Sequence, residues 1–150
     1  MPSGLYVVGS RAGDRRNGMT CNWATQVSSV PKLVAVGVER DAFTHELIRE
    51  GGGFSLSLLS REDRALVRRF VKPVDVDLDA RTLGGVSFHD TPSGLPVLDR
   101  ALAWLDCELR QEVPTGDHTL FVGEVMGCGF EQPEDTPVLR MEDTRMSYGG

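Results

Sequence analysis

Between Leu105 and Val113 the chain cannot be a helix, because Leu105, Cys107, Leu109 and Val113 are interleaved with Asp106, Glu108, Arg110 and Glu112. A period of two puts an apolar set on one face of an extended strand and a charged set on the other. Pro114 to Asp117 (PTGD) is turn chemistry, and His118 to Cys128 (HTLFVGEVMGC) is a second β-rich run, so the two form a hairpin. Gly123, Gly127 and Gly129 in that second run mark bends or close backbone approach.

More strands precede the hairpin. Gly4 to Ser10 (GLYVVGS) reads as a strand, and the polar stretch Arg11 to Gly18 reads as a turn. Met19 to Val30 reads as one strand that stops at Pro31, and Leu33 to Glu39 resumes in extended form. Asp41 to Glu50 turns helical, with Phe43, Leu47 and Ile48 on one side, and Gly51 to Gly53 stops it. Phe54 to Leu59 alternates as a half-buried strand. Ser60 with Asp63 resembles a capping box that opens a helix running to about Lys72. Asp75 to Thr82 is an acidic connector, followed by a strand at Val86 to His89 and turn residues at Thr91 to Pro96. Six or seven antiparallel strands with peripheral helices result, which 150 residues would most economically close into a small barrel. No internal repeat or linker is visible, and one domain over residues 1–150 is expected.

The net charge of −6 and pI near 5.0 argue against a nucleic-acid surface, which needs clustered Lys and Arg. The densest basic stretch, Arg61 to Lys72, is interrupted by Glu62 and Asp63 and reads as the solvated face of a helix. Cys21, Cys107 and Cys128 share no metal or disulfide spacing, so no metal site is expected and a reducing cytoplasm fits them. The N-terminus lacks the basic and apolar regions of an export signal, and no run approaches a membrane span. A cytoplasmic location is therefore the expectation.

The stretch Asn17 to Ile48, NGMTCNWATQVSSVPKLVAVGVERDAFTHELI, closely resembles the core of the flavin reductase family. The likeness extends upstream to GLYVVGS and downstream to GDHTLFVGEV at Gly116 to Val125, so it covers most of the chain in order. It implies a mainly β, Greek-key split β-barrel of six or seven antiparallel strands that binds FMN, with FAD as the alternative. The activity it implies is NAD(P)H:flavin oxidoreduction, in which NAD(P)H reduces a bound or exchangeable flavin that serves a downstream acceptor such as a partner monooxygenase. A flavoredoxin-like or ferric-reductase-like electron carrier and a non-catalytic FMN-binding module are the alternatives. A homodimer is also implied.

In this family the segment matching Thr20 to Ser28 runs beside the isoalloxazine ring. Ala24, Thr25 and Ser28 are small enough to admit a flat ring, and Asn22, Thr25 and Gln26 carry polar groups able to meet its carbonyls. The residues alone would equally make an ordinary strand with a polar face. Trp23 fits either a flavin contact or a core or interface aromatic. Cys21 reads as a small hydrophobe. The segment ERDAFTHELI matches the phosphate site, with Arg40 as the cation and Thr44 and His45 near a helix start. The competing reading has Asp41 capping that helix, with Thr44 and His45 on its exposed first turn. His118, in the family's GDHTLFVGEV segment, is the residue that would shape the donor site; the alternative is a turn contact with Asp117. His89 reads as a surface or strand-end residue. Departures from the family pattern are a short N-terminal lead-in, a single proline at Pro31 followed by Lys32, and the ending MSYGG, whose Tyr148 is a candidate flavin or partner contact.

Overall fold

The computed structural model describes residues 1–146; Tyr148 lies outside the described residues. In chain order the strands are β1 (Tyr6–Ala12), β2 (Arg15–Cys21), β3 (Ala24–Ser29), β4 (Lys32–Glu39), β5 (Gly53–Leu58), β6 (Val76–Asp77), β7 (Thr82–Leu83), β8 (Val86–Asp90), β9 (Pro96–Leu98), β10 (Ala103–Pro114) and β11 (His118–Phe130). One α-helix, α1 (Phe43–Gly51), and 3-10 helices at Arg61–Phe70 and Met141–Asp143 complete them.

The expected hairpin, β10 with β11, sits at the middle of a seven-stranded antiparallel sheet ordered β2-β1-β5-β10-β11-β4-β3. The fold is the expected antiparallel split barrel. Strands β2 and β3 stand at opposite ends of that order, yet only Asn22 and Trp23 separate them in sequence. So short a link forces the sheet to curl on itself, and the Gly37 N–H donates to the Trp23 carbonyl at 2.8 Å, which extends the β3–β4 pairing by one residue into the link.

Here the sequence expectation is corrected twice. Residues 15–18, read as turn, belong to β2, and the turn is confined to Gly13 and Asp14, where Gly13 takes a φ of 61°. Met19 to Val30, read as one strand, is two strands broken at Asn22–Trp23. Propensity is uniform along that run, and only barrel closure places the break.

Two buried clusters flank the sheet. Val8, Met19, Val36, Phe54, Leu56 and Phe121 fill the barrel, while Val7, Leu59, Val67, Phe70, Phe88 and Leu98 lie between its outer face and the remaining elements. Strand β5 is therefore buried on both faces rather than half-buried, because the small sheet β6-β7-β8-β9 packs over its outer side. The Ser55 hydroxyl donates to the Pro96 carbonyl at 2.5 Å, and the Leu98 N–H donates to Ser57 Oγ at 3.1 Å. Those bonds let two serines sit in a dry layer. A register shift between Asp106 and Cys107 buries both residues, which interrupts the alternation seen in sequence.

Helix α1 ends as expected, with Gly52 at a φ of 76° and its N–H donating to the Ile48 carbonyl at 2.9 Å. Its N-cap is Ala42 rather than Asp41, and no side chain bonds the cap. The second helix is 3-10 and spans Arg61–Phe70. Ser60 Oγ accepts from the Glu62 N–H at 3.3 Å, while the Asp63 carboxylate pairs with Arg100 instead of closing a capping box. Among the described residues no helix is long and apolar enough to cross a membrane.

Candidate functional site

The segment Gly116 to His118 is built by the meeting of β4 and β11, whose register sets His118 opposite Glu39. Beyond the last pair, the Arg40 N–H donates to the Asp117 carbonyl at 2.9 Å, and Arg40 Nη1 donates to the Gly116 carbonyl at 3.3 Å. Gly116 has a φ of 111°, a conformation that suits glycine alone. Within the turn, Thr115 donates through both its N–H, at 3.0 Å, and its hydroxyl, at 3.1 Å, to the His118 carbonyl. Backbone on either side of His118 is thus fixed before its ring is placed.

The His118 ring bonds Asp117 Oδ1 through Nδ1 at 2.7 Å and holds that carboxyl below the usual carboxylate range. It also lies against Trp23, with ring centroids 4.7 Å apart and planes tilted by 51°. Trp23 remains 48% exposed, so an indole face is open beside a histidine whose ring is held from two sides. Of the two readings made of His118, the turn contact is present in this arrangement. It bonds Asp117 at the turn, and it faces an exposed aromatic.

The segment leading into Trp23 divides into inward and outward residues. Thr20 is fully enclosed, and its hydroxyl donates to the Val67 carbonyl at 2.6 Å. Cys21 is likewise enclosed, and burial pushes its thiol up to about 12, far from a reactive thiolate. Asn22 is buried, Ala24 and Ser28 are half-buried, and Thr25 and Gln26 are exposed. Strand β3 is the last of the sheet, so its outer edge presents main-chain groups not bonded within the sheet. A register shift between Gln26 and Ser28 bends that edge.

The expected phosphate residues do not form one cluster. Thr44 is fully buried and accepts from Asn17 Nδ2 at 2.9 Å, not on an exposed first turn. His45 bonds Thr119 Oγ1 through Nε2 at 2.7 Å and packs against Phe121 at 4.9 Å. Successive side chains on a strand point to opposite faces, so Thr119 carries His45 on the side of β11 away from His118. Arg40 and His45 share a recess of about 460 Å³ with Arg49, where Glu46, Glu50 and Glu112 outnumber the guanidiniums. A smaller recess of about 190 Å³ at the start of α1 is lined by Asn17, Asp41, Thr44 and Lys72 among others. Sequence reasoning missed Asn17 and Lys72. Nothing local marks them, since Asn17 lies in a strand and Lys72 comes from a distant helix end.

Burial, followed by the charge of Arg49, lowers the His45 pKa from its ordinary 6.5. Below that value the unfolded chain takes up a proton that the folded His45 resists, so stability falls as the pH drops through 6.5 toward the folded pKa. His45→Gln, which keeps a donor for Thr119, is expected to flatten that decline in urea titrations between about pH 5 and 8. An unchanged pH profile would assign the decline to other groups. Among the described residues, no group of three His, Cys, Asp or Glu side chains is placed to hold a metal ion.

Residues 1–149 match the flavin reductase like domain. The chain belongs to this family. It is 36% identical over 124 residues to the high molecular weight rubredoxin of Moorella thermoacetica, an alignment covering 81% of this chain and 53% of that protein. It is 36% identical over 120 residues to the NADH-dependent flavin reductase StyB of Pseudomonas fluorescens, covering 75% of this chain and 62% of that one. The solved Streptomyces globisporus NADH:FAD oxidoreductase SgcE6, in complex with NAD and FAD fragments, superposes with a TM-score of 0.82 at 28% identity, covering 100% of this chain and 87% of that one. The chain spans 53% and 62% of the lengths of the first two relatives.

Proposed function

We propose that this chain is an NAD(P)H:flavin oxidoreductase that holds FMN against the β3 edge, with the open face of the ring toward Trp23 and His118. The observation that carries the reading is the Trp23–His118 pair, an exposed indole 4.7 Å from a buttressed imidazole at the mouth of a flavin reductase barrel. The residues fit such a ring. Ala24, Thr25 and Gln26 leave the outer edge of β3 unobstructed, and main-chain groups there can bond a planar heterocycle. Bound flavin supplies the electron sink that takes a hydride from a nicotinamide.

The protein's own share is positional. Asp117 bonds His118 Nδ1 and so fixes the orientation in which the imidazole is presented beside Trp23. Arg40 grips Gly116 and so sets where His118 stands. Trp23 offers the apolar surface on which a nicotinamide stacks and from which water is displaced. The flavin phosphate is assigned to the opening of α1, where Lys72 and Thr44 line one recess together with Asp41, and Arg40 and His45 line the neighbouring one. Thr20 and Asn22 act from beneath, by holding the strand. A homodimer is part of the reading, supported by exposed Val27, Val30, Met126 and Phe130 on β3, its turn and the far end of β11.

The test is the visible spectrum of purified protein titrated with FMN and with FAD, followed by anaerobic NADH and NADPH. A bound flavin that either nucleotide bleaches within the mixing time supports the proposal. Protein that binds no flavin would sink it. The similarity to a high molecular weight rubredoxin favours one second reading, an electron-carrying module, in which flavin is held but only a protein donor reduces it. Arg40→Ala is expected to weaken FMN by about 1.5–3 kcal/mol through lost charge-assisted bonds, measured by equilibrium dialysis. Unchanged affinity would remove Arg40 from the phosphate end.

A further inference from the structure

We propose that a recess bounded by Arg64, Arg68 and Arg145 is a binding site for the phosphate monoester of a nucleotide. The recess is about 430 Å³, and its other walls are Ala65, Asp143 and Thr144. It gathers three guanidiniums from two separate segments, in a chain whose net charge is −6.

Among the described residues, Arg64, Arg68 and Arg145 make no ion pair or hydrogen bond. Their neighbours on the same helix are all engaged: Arg61 pairs with Asp143 at 3.2 Å, and Arg69 donates to the Gly84 carbonyl at 3.3 Å. The one carboxylate in the recess is already spent. Asp143 accepts from Arg61, from the Arg140 side chain at 3.2 Å and from the Arg140 N–H at 2.9 Å, and these partners hold its pKa low. The Thr144 hydroxyl donates to the Met141 carbonyl at 2.9 Å, which turns its hydrogen away from the recess.

Three uncompensated guanidiniums around one cavity repel each other, and a dianion relieves that repulsion while matching their planar forks. The cradle is also rigid. Val67 and Phe70, on the other side of the same helix, are fully buried, and the Val67 carbonyl accepts the Thr20 hydroxyl. By contrast, the Arg40 recess has more carboxylates than guanidiniums. The sequence reading of Arg61 to Lys72 as a merely solvated face is thereby refined: part of that face is gathered around a cavity.

The site does not depend on the flavin reading. The test is titration calorimetry of the whole protein, flavin-free and FMN-saturated, with three probes: adenosine 2′,5′-bisphosphate, AMP and inorganic phosphate. The expected result is saturable binding of a nucleotide probe, tighter than inorganic phosphate and weakened about tenfold or more in Arg64→Gln/Arg68→Gln and in Arg145→Gln. These side chains are exposed, so the variants should melt like the parent, and Arg40→Ala should bind the probe normally. Three outcomes would overturn the proposal. They are equal affinity in parent and variants, inorganic phosphate binding as tightly as either nucleotide, and FMN saturation or Arg40→Ala abolishing the probe's binding.

Discussion

Phe121→Ala is expected to cost about 3–5 kcal/mol of folding stability, with loss of site order alongside. Phe121 is fully buried on β11 inside the barrel, among Val36, Val38, Ile48 and Phe54. Truncating it removes the ring's transfer energy and leaves a cavity that the hydrogen-bonded strands of a closed barrel cannot collapse to fill. The same ring supports His45 at 4.9 Å, so the His45–Thr119 bond should also loosen. At about 2–4 °C per kcal/mol for a chain of this size, the midpoint should fall by roughly 6–20 °C. A drop under about 1 kcal/mol in urea titration would mean that the barrel interior repacks freely and that α1 is not seated on it.

Gly9→Ala should be nearly as costly, about 3 kcal/mol or more, for the opposite reason. A Cβ at Gly9 would stand 2.1 Å from the Pro96 carbonyl oxygen and 2.2 Å from Ser55 Oγ. Both neighbours are fixed, one as backbone and one by the 2.5 Å bond between them. Alanine must therefore push β9 off the outer face of the barrel and break that bond inside a dry layer. Hydrogen exchange should show faster opening of β8 and β9 than of β10 and β11. Parent-like exchange at β9 would contradict the close packing of the two sheets.

Some of this architecture was readable because its cause is local. The alternation from Leu105 to Val113 and the turn at Pro114–Asp117 give the hairpin, and the glycines after α1 give its end. The site was readable in part. Trp23 and His118 were both named from sequence, but nothing in a linear pattern says that two residues 95 positions apart will touch rings. Their contact needs β3 folded along β4 and β4 along β11. Thr20 and Thr44 illustrate the reverse case. Their hydroxyls look free in sequence, whereas packing turns each one to a buried partner, Val67 and Asn17.

By itself the sequence determined the strand periods, the hairpin, the helix stop and the family, because each is written in spacing or in a run of contiguous residues. Tertiary structure alone decided where Met19–Val30 breaks, which face of β5 stays dry, and which arginines are left without a partner. Those outcomes depend on barrel closure and on a second sheet packed outside it. They are long-range contacts, and a chain has no local energy term that anticipates them.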